Sequence, residues 1–235
     1  MIELYSFGPK FGLPDPSPFV LKIDAFLRLS GIDFESKADF NNLQKAPKNK
    51  LPFIKSNGRI IADSYFIIEH LKQIQPTELD AHLSEEQLAQ AYCIGKMLEE
   101  SFYWCGVYFR WQHKPTWKLV KQDFFGDLPF PLKYIIPLIA RKNVISAIKK
   151  QGLGRHNESE ILSIAKHSLD SIETLLKDKP HIFGDKISSL DATIYAFLAQ
   201  AILAQLDTPL SKLARSYTTL NEYCDRIHSK LYATA

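Results

Sequence analysis

Leu51–Asp63, LPFIKSNGRIIAD, is the stretch on which the fold turns. Two short apolar runs flank Asn57-Gly58, the dipeptide best suited to the positive φ angles of a tight hairpin turn. Pro52 has no N–H for a ladder, so it must stand at the entrance or edge of the first strand. The following DSYFIIEHLKQI has helical periodicity, with Asp63 or Ser64 available as its cap. A β-β-α unit is therefore expected here.

Working backwards, IELYSF at Ile2–Phe7 combines β-branched and aromatic residues and predicts a first strand. A Gly/Pro-rich loop follows through Pro16. From Pro18, the apolar residues Phe19, Val20, Ile23, Phe26, Leu27 and Leu29 keep a helical period, and Gly31 supplies a stop. IDFESKA then reads as a second strand, which a helical crossover sets parallel to the first. Residues 1–75 thus read β-α-β, an irregular or helical stretch, then β-β-α. That is the layout of an α/β thioredoxin-like domain.

Working forwards, no strand-like alternation is convincing beyond IQPTELD. Helix starts recur instead: Ser84 with Gln87, Asn157 with Glu160, and Ser188 with Asp191. Each pairs a cap residue with a side chain three positions on that can reach back. The expected organisation is a linker at 76–83 and an all-helical domain over 84–235. GDLPFPLKYIIP, with Pro129, Pro131 and Pro137, predicts a broken stretch between helices.

Composition narrows the function classes. The 29 Lys and Arg against 26 Asp and Glu give +3, spread along the chain and not gathered in a tail, which is no footprint for nucleic acid. Cys93, Cys105 and Cys224 show neither CxxC nor metal-like Cys/His spacing, so no disulfide framework and no metal site is expected. The N-terminus lacks the pattern of a signal peptide. ATIYAFLAQAILAQL, interrupted by Gln200 and Gln205, falls short of the roughly 18 to 20 apolar residues of a transmembrane segment. A cytoplasmic protein is expected.

Three pieces, SPFVLKIDAFLRLSGIDFE, KLPFIKSNGRIIADSYFIIEHL and GDKISSLDATIYAFLAQ, together resemble the N-terminal glutathione-binding domain and the C-terminal helical domain of the soluble glutathione transferases. The likeness spans nearly the whole chain. It is greatest to the branch that includes metaxin-like and failed-axon-connections-like proteins, in which GLGRHNESEIL also finds a counterpart. The resemblance implies a site for glutathione as co-substrate. Pro52 matches the family's cis-proline, beside which the Leu51 backbone pairs with the cysteinyl part of glutathione like an added strand. Lys50 stands near the glycyl carboxylate. Asp63 and Ser64 match the pair that holds the γ-glutamyl end, Ser64 at a helix start and Asp63 accepting from the ammonium. Ser17 matches the residue facing the glutathione sulfur. Tyr5 is its rival, because other branches use a first-strand tyrosine. Phe7, Tyr103, Tyr108 and Trp111 are the expected lining of a second-substrate pocket, and SSLD resembles the family's capping box.

Each of these residues also has a plainer reading. Ser17 followed by Pro18 is a favoured N-cap on stability alone, and Asp63-Ser64 caps a helix equally well. The aromatic run SFYWCGVYFRW suits core packing as well as a pocket.

The chemistry asks for little. A thiol with pKa about 8.5 is mostly protonated at neutral pH, and only the thiolate attacks well. A serine hydroxyl donating to sulfur favours the thiolate, and a helix N-terminus adds to that. Serine cannot form the mixed disulfide that a cysteine forms with glutathione, so conjugation is expected and disulfide exchange is not. The expected protein is a homodimeric glutathione S-transferase acting on a small hydrophobic electrophile. The alternative is a non-catalytic, metaxin-like docking or interaction module. One departure from the family is the long GPKFGLPDP loop ahead of Ser17.

Overall fold

A computed structural model describes residues 1–232. The chain begins β1 (Ile2–Ser6), α1 (Pro18–Leu29), β2 (Phe34–Ala38), α2 (Asn42–Lys45), β3 (Phe53–Ser56), β4 (Arg59–Ala62) and α3 (Ser64–Ile74). Its sheet runs β2-β1-β3-β4, with β1 parallel to β2 and the other pairs antiparallel. β1 alternates, burying Ile2, Leu4 and Ser6. The hairpin closes as its sequence requires, with φ of 48° at Asn57 and 79° at Gly58.

The rest is helical: α4 (Glu85–Met97), a π-helical turn at Leu98–Phe102, α5 (Tyr103–Trp111), α6 (Lys114–Phe125), α7 (Leu132–Gln151), α8 (Glu158–Leu176), α9 (Ser189–Ile202), α10 (Pro209–Arg215) and α11 (Thr218–Tyr232). An α/β thioredoxin-like unit followed by helices is the fold that the sequence implied. Capping boxes form at Ser84, Asn157 and Ser188. The expected break in GDLPFPLKYIIP is present between α6 and α7 at 126–131, with Pro129 and Pro131 in it, but it is shorter than expected, because α7 starts at Leu132 and runs through Pro137. Pro137 removes one helical hydrogen bond, but its ring is buried against the helical core, which offsets the loss.

The two halves share one apolar core. α1 is buried from Val20 to Leu27 because it packs against both α3 and α9, and α9 is itself buried over nearly its whole length. Two carboxylates cross the junction. Glu99, in the π-helical turn, accepts from Lys22 of α1 at 2.6 Å and from Lys96 at 2.8 Å. Asp80 accepts from the Ser189 N–H and hydroxyl at 2.8 and 2.7 Å and from Lys72 at 2.9 Å. Burial pushes the Asp80 carboxyl up, but Lys72 and Ser189 outweigh it and hold it below its ordinary 3.8. A depressed native pKa means that this stability is complete above 3.8 and is lost as pH falls through the native value. Asp80→Asn is thus expected to unfold at lower denaturant than the wild type at neutral pH, the two midpoints converging in acid. A gap that persists in acid would assign the effect to something other than the carboxylate charge.

Candidate functional site

Ser17 caps α1 with extended φ and ψ of −95° and 121°, and its Oγ accepts from the Val20 N–H at 3.4 Å. The Ser17 N–H donates to Asp15 Oδ1 at 2.8 Å, and Asp15 Oδ2 accepts from the Phe7 and Gly8 N–H groups at 2.8 and 3.1 Å. One buried carboxylate therefore ties the end of β1 to the start of α1. The helical half holds the same loop from the other side. Arg110 of α5 donates to the Pro16 carbonyl at 2.6 Å and to Gln200 Oε1 at 2.8 Å, while Gln200 of α9 donates to the Asp15 carbonyl at 3.0 Å. Beyond α9, the Gln205 N–H donates to the Phe11 carbonyl at 2.8 Å. Gly12 has a φ of +74°, which favours glycine, and it lies against the end of the Gln205 side chain. The long loop is thus fastened to both halves of the molecule.

Burial pushes the Asp15 carboxyl up to about 7, against the three N–H donors that favour its ionised form. Burial pulls the Arg110 guanidinium down to about 10, which leaves it cationic at neutral pH. For Asp15 the native pKa lies above the unfolded one, so its contribution to stability is complete below 3.8 and is lost as pH rises through about 7. Carbon-13 titration of the Asp15 carboxyl should find a midpoint near 7, with a matching decline in the denaturant midpoint. A midpoint near 3.8 would mean that the N–H donors prevail over burial.

The Ser17 hydroxyl donates to no protein group among the described residues, so its proton is uncommitted. The Tyr5 hydroxyl differs, since it donates to Glu3 Oε2 at 2.8 Å while its ring stacks on Phe53 at 4.2 Å. That hydrogen bond, with burial, raises the phenol above its ordinary pKa.

The Leu51-Pro52 peptide is cis, and neither the N–H nor the C=O of Leu51 is engaged among the described residues. The Leu51 backbone lies just beyond the β3 ladder, whose pairing with β1 begins at Phe53. The Asp63 N–H donates to the Pro52 carbonyl at 3.5 Å, tying the two segments. Asp63 has φ of 86°, a strained value for a residue with a Cβ, costing about 1–3 kcal/mol. Its carboxylate accepts from the Tyr65 N–H at 3.0 Å. Ser64, the first residue of α3, is buried, and its hydroxyl has no protein partner among the described residues. Lys50 is exposed and unpaired among them. Val20, one turn beyond Ser17, packs in a small cluster with Leu51 and Phe53, flanked by Tyr5 and Phe7.

The second-substrate candidates do not gather in one place. Tyr103 stands edge-on to Phe19 of α1 at 4.9 Å, two residues from Ser17. Tyr108 is buried against Phe109 with its phenol near Glu158, at the start of α8. Trp111 packs on Trp117 at 5.5 Å and on Phe124 at 6.5 Å. Phe124 meets Phe40, which meets Phe7, each at 5.9 Å, so rings connect the end of β1 to α6. Sequence reading missed Phe40, Phe124, Asp15, Arg110 and Gln200. The signal for Asp15 was its place two residues before a helix cap, and for Arg110 a lone cation in YFRW. A cleft of about 550 Å³ between Lys10–Pro14, Asp123, His228 and Tyr232 includes none of the candidates.

Family models for the glutathione S-transferase N-terminal and C-terminal domains match residues 18–117 and 165–227. The chain is 35% identical to the isoprene-epoxide glutathione S-transferase of Rhodococcus sp. (strain AD45), over 98% of this chain and 99% of that one. It is 32% identical to Failed axon connections of Drosophila melanogaster, over 93% of this chain and 54% of that protein. Metaxin-1 of Macaca fascicularis is 26% identical over 97% of this chain and 74% of its own length. Among solved structures, human glutathione-S-transferase T1-1 superimposes with a TM-score of 0.64 at 14% identity, covering 99% of this chain and 85% of that one. The fold, the two matched domains and the full-length relative agree: the chain belongs to the glutathione S-transferase superfamily, on the branch it shares with the metaxins and Failed axon connections.

Proposed function

We propose that this protein is a cytoplasmic glutathione S-transferase that joins the sulfur of glutathione to a small hydrophobic electrophile. The observation that carries the reading is the uncommitted Ser17 proton at the N-terminus of a 12-residue helix, whereas the rival Tyr5 phenol is already engaged by Glu3. Ser17 donates to the glutathione sulfur as the thiol proton leaves to solvent, and the helix terminus supports the thiolate. The free Leu51 backbone groups take the cysteinyl unit as an added strand. Ser64 at the start of α3 meets the γ-glutamyl carboxylate, Asp63 its ammonium, and Lys50 the glycyl carboxylate.

The sulfur lone pair then forms the C–S bond. With an epoxide, the class named for the Rhodococcus relative, the C–O bond opens and the alkoxide takes a proton from water. Phe7, Tyr103 and Trp111 are the candidate contacts for the electrophile, Tyr103 on the α1 side and Phe7 and Trp111 along the ring chain to α6, while the buried Tyr108 is a less apt contact. A homodimer is part of the reading, supported by exposed Tyr65 and Phe66 of α3 beside Tyr92 of α4, an apolar patch shared by both halves.

Calorimetric titration of the full chain with glutathione, followed by turnover with a small aliphatic epoxide, tests the reading. Binding with a thiolate absorbance and product formation supports it. Absence of glutathione binding sinks it and favours the second reading, a docking module, which the exposed apolar side chains of α7 also suggest.

A further inference from the structure

We propose that the α6–α7 hairpin is a docking surface for an anionic phospholipid bilayer. The +3 of the whole chain conceals an uneven distribution. Residues 112–151 carry eight Lys and Arg against two Asp, a net +6, so the remainder is −3. None of those eight cations forms an ion pair among the described residues. No helix of the described residues is long and apolar enough to cross a membrane, so attachment here is at the surface.

The same hairpin presents apolar side chains to solvent. Ile136, Ala140, Val144 and Ile148 turn one face of α7 to the core. The opposite face shows Ile135, Leu138 and Ile139, the last two 65% and 55% exposed, and Phe130 before the helix is 80% exposed. Lys142 continues this face one turn on. α7 is apolar toward the core and toward solvent alike, so its exposed band is apolar area left over after packing, and the neighbouring lysines add attraction to anionic lipid. Between α6 and α7 a cleft of about 250 Å³ is lined by Lys118, Lys121 and Lys133, together with Gln122 and Tyr134. The ammonium groups of Lys121 and Lys133 stand 6.0 and 5.3 Å from the Tyr134 ring. Three cations with no carboxylate among the lining residues suit a phosphate headgroup, and the neighbouring apolar band suits the acyl boundary. A second copy of the same face would bring +6 against +6, and the exposed band is a convex helix face without a shaped pocket for a protein side chain.

The test is flotation of the full chain with vesicles of phosphatidylcholine alone or mixed equally with phosphatidylglycerol. Recovery is expected only with the mixed vesicles, weakening with salt. Leu138→Glu with Ile139→Glu should abolish it. Lys118→Ala and Lys121→Ala should each weaken partitioning about fivefold. Lys118, Leu138 and Ile139 are exposed and Lys121 is half-buried, and an unchanged thermal melt and unchanged glutathione titration would establish that the variants are intact. Equal recovery on both vesicle types, recovery on neither, or full recovery of the double glutamate variant overturns the proposal. Two further results also overturn it: binding of glycerol 3-phosphate without flotation, which assigns the cleft to a soluble phosphate, and a particle mass that halves in the glutamate variant without flotation, which assigns the face to self-association.

Discussion

Ser17→Ala is expected to bind glutathione almost as tightly as the wild type and to lose its thiolate. A hydrogen bond to a charged acceptor contributes about 1.5–3 kcal/mol, equivalent to about one to two pKa units on the sulfur. At neutral pH the thiolate absorbance and kcat/KM should therefore fall about 10- to 100-fold. The same substitution also removes the cap of α1, at a cost of about 1 kcal/mol. Ser17→Asp separates these roles, since a carboxylate accepts from the Val20 N–H but has no proton to give to sulfur. It should recover the lost stability and none of the activity. Tyr5→Phe should leave the thiolate intact, because that phenol already donates to Glu3. If Ser17→Ala loses stability alone and Tyr5→Phe loses the thiolate, the assignment of Ser17 is wrong.

Asp191→Ala should be the most destabilising single change in the molecule outside the apolar core, lowering stability by about 3–5 kcal/mol. Asp191 is fully buried at the start of α9, the helix against which α1 packs. Its carboxylate accepts from the Ser188 N–H and hydroxyl at 2.8 and 2.7 Å, from the Ile182 N–H at 3.0 Å and from the Tyr223 hydroxyl at 2.9 Å. Truncation leaves these donors buried and unpaired, joining the segment before α9, the helix itself and α11 in one loss. A chain of this length should melt roughly 10 °C lower. Calorimetric scanning of the variant checks this, and a shift of only a degree or two would mean that water enters and satisfies the donors.

The legible parts of this protein are those whose cause is local. Asn57-Gly58 specifies its hairpin because positive φ at both positions is a property of those residues. Ser84, Asn157 and Ser188 specify helix starts because their partners stand three residues on. The order of Ser17, Pro52, Asp63 and Ser64 carries the family resemblance, although each is an ordinary turn or cap residue by itself. Arg110 and Gln200 were hidden for the opposite reason. Their partners are carbonyls more than eighty positions away, and a carbonyl has no residue type to read. Tyr108 and Trp111 sit in one aromatic run three residues apart, yet the first turns toward α8 and the second toward α6. Pro137 failed as a helix stop because burial of its ring was decided by the tertiary fold.

The loop ahead of Ser17 has a consequence for the order in which this molecule assembles. The thioredoxin-like unit can form its sheet from its own chain, but the carbonyls of Asp15 and Pro16 reach their donors only after α5 and α9 have docked. Asp15 ties Ser17 to β1 within its own half, but the loop is fully held only once the helical half has docked, so on heating Ser17 is expected to lose its exact position as soon as the helical half loosens. Thiolate absorbance in a thermal ramp would then fade before the sheet melts, so the reactive centre acts as the most sensitive gauge of whether the two halves are joined.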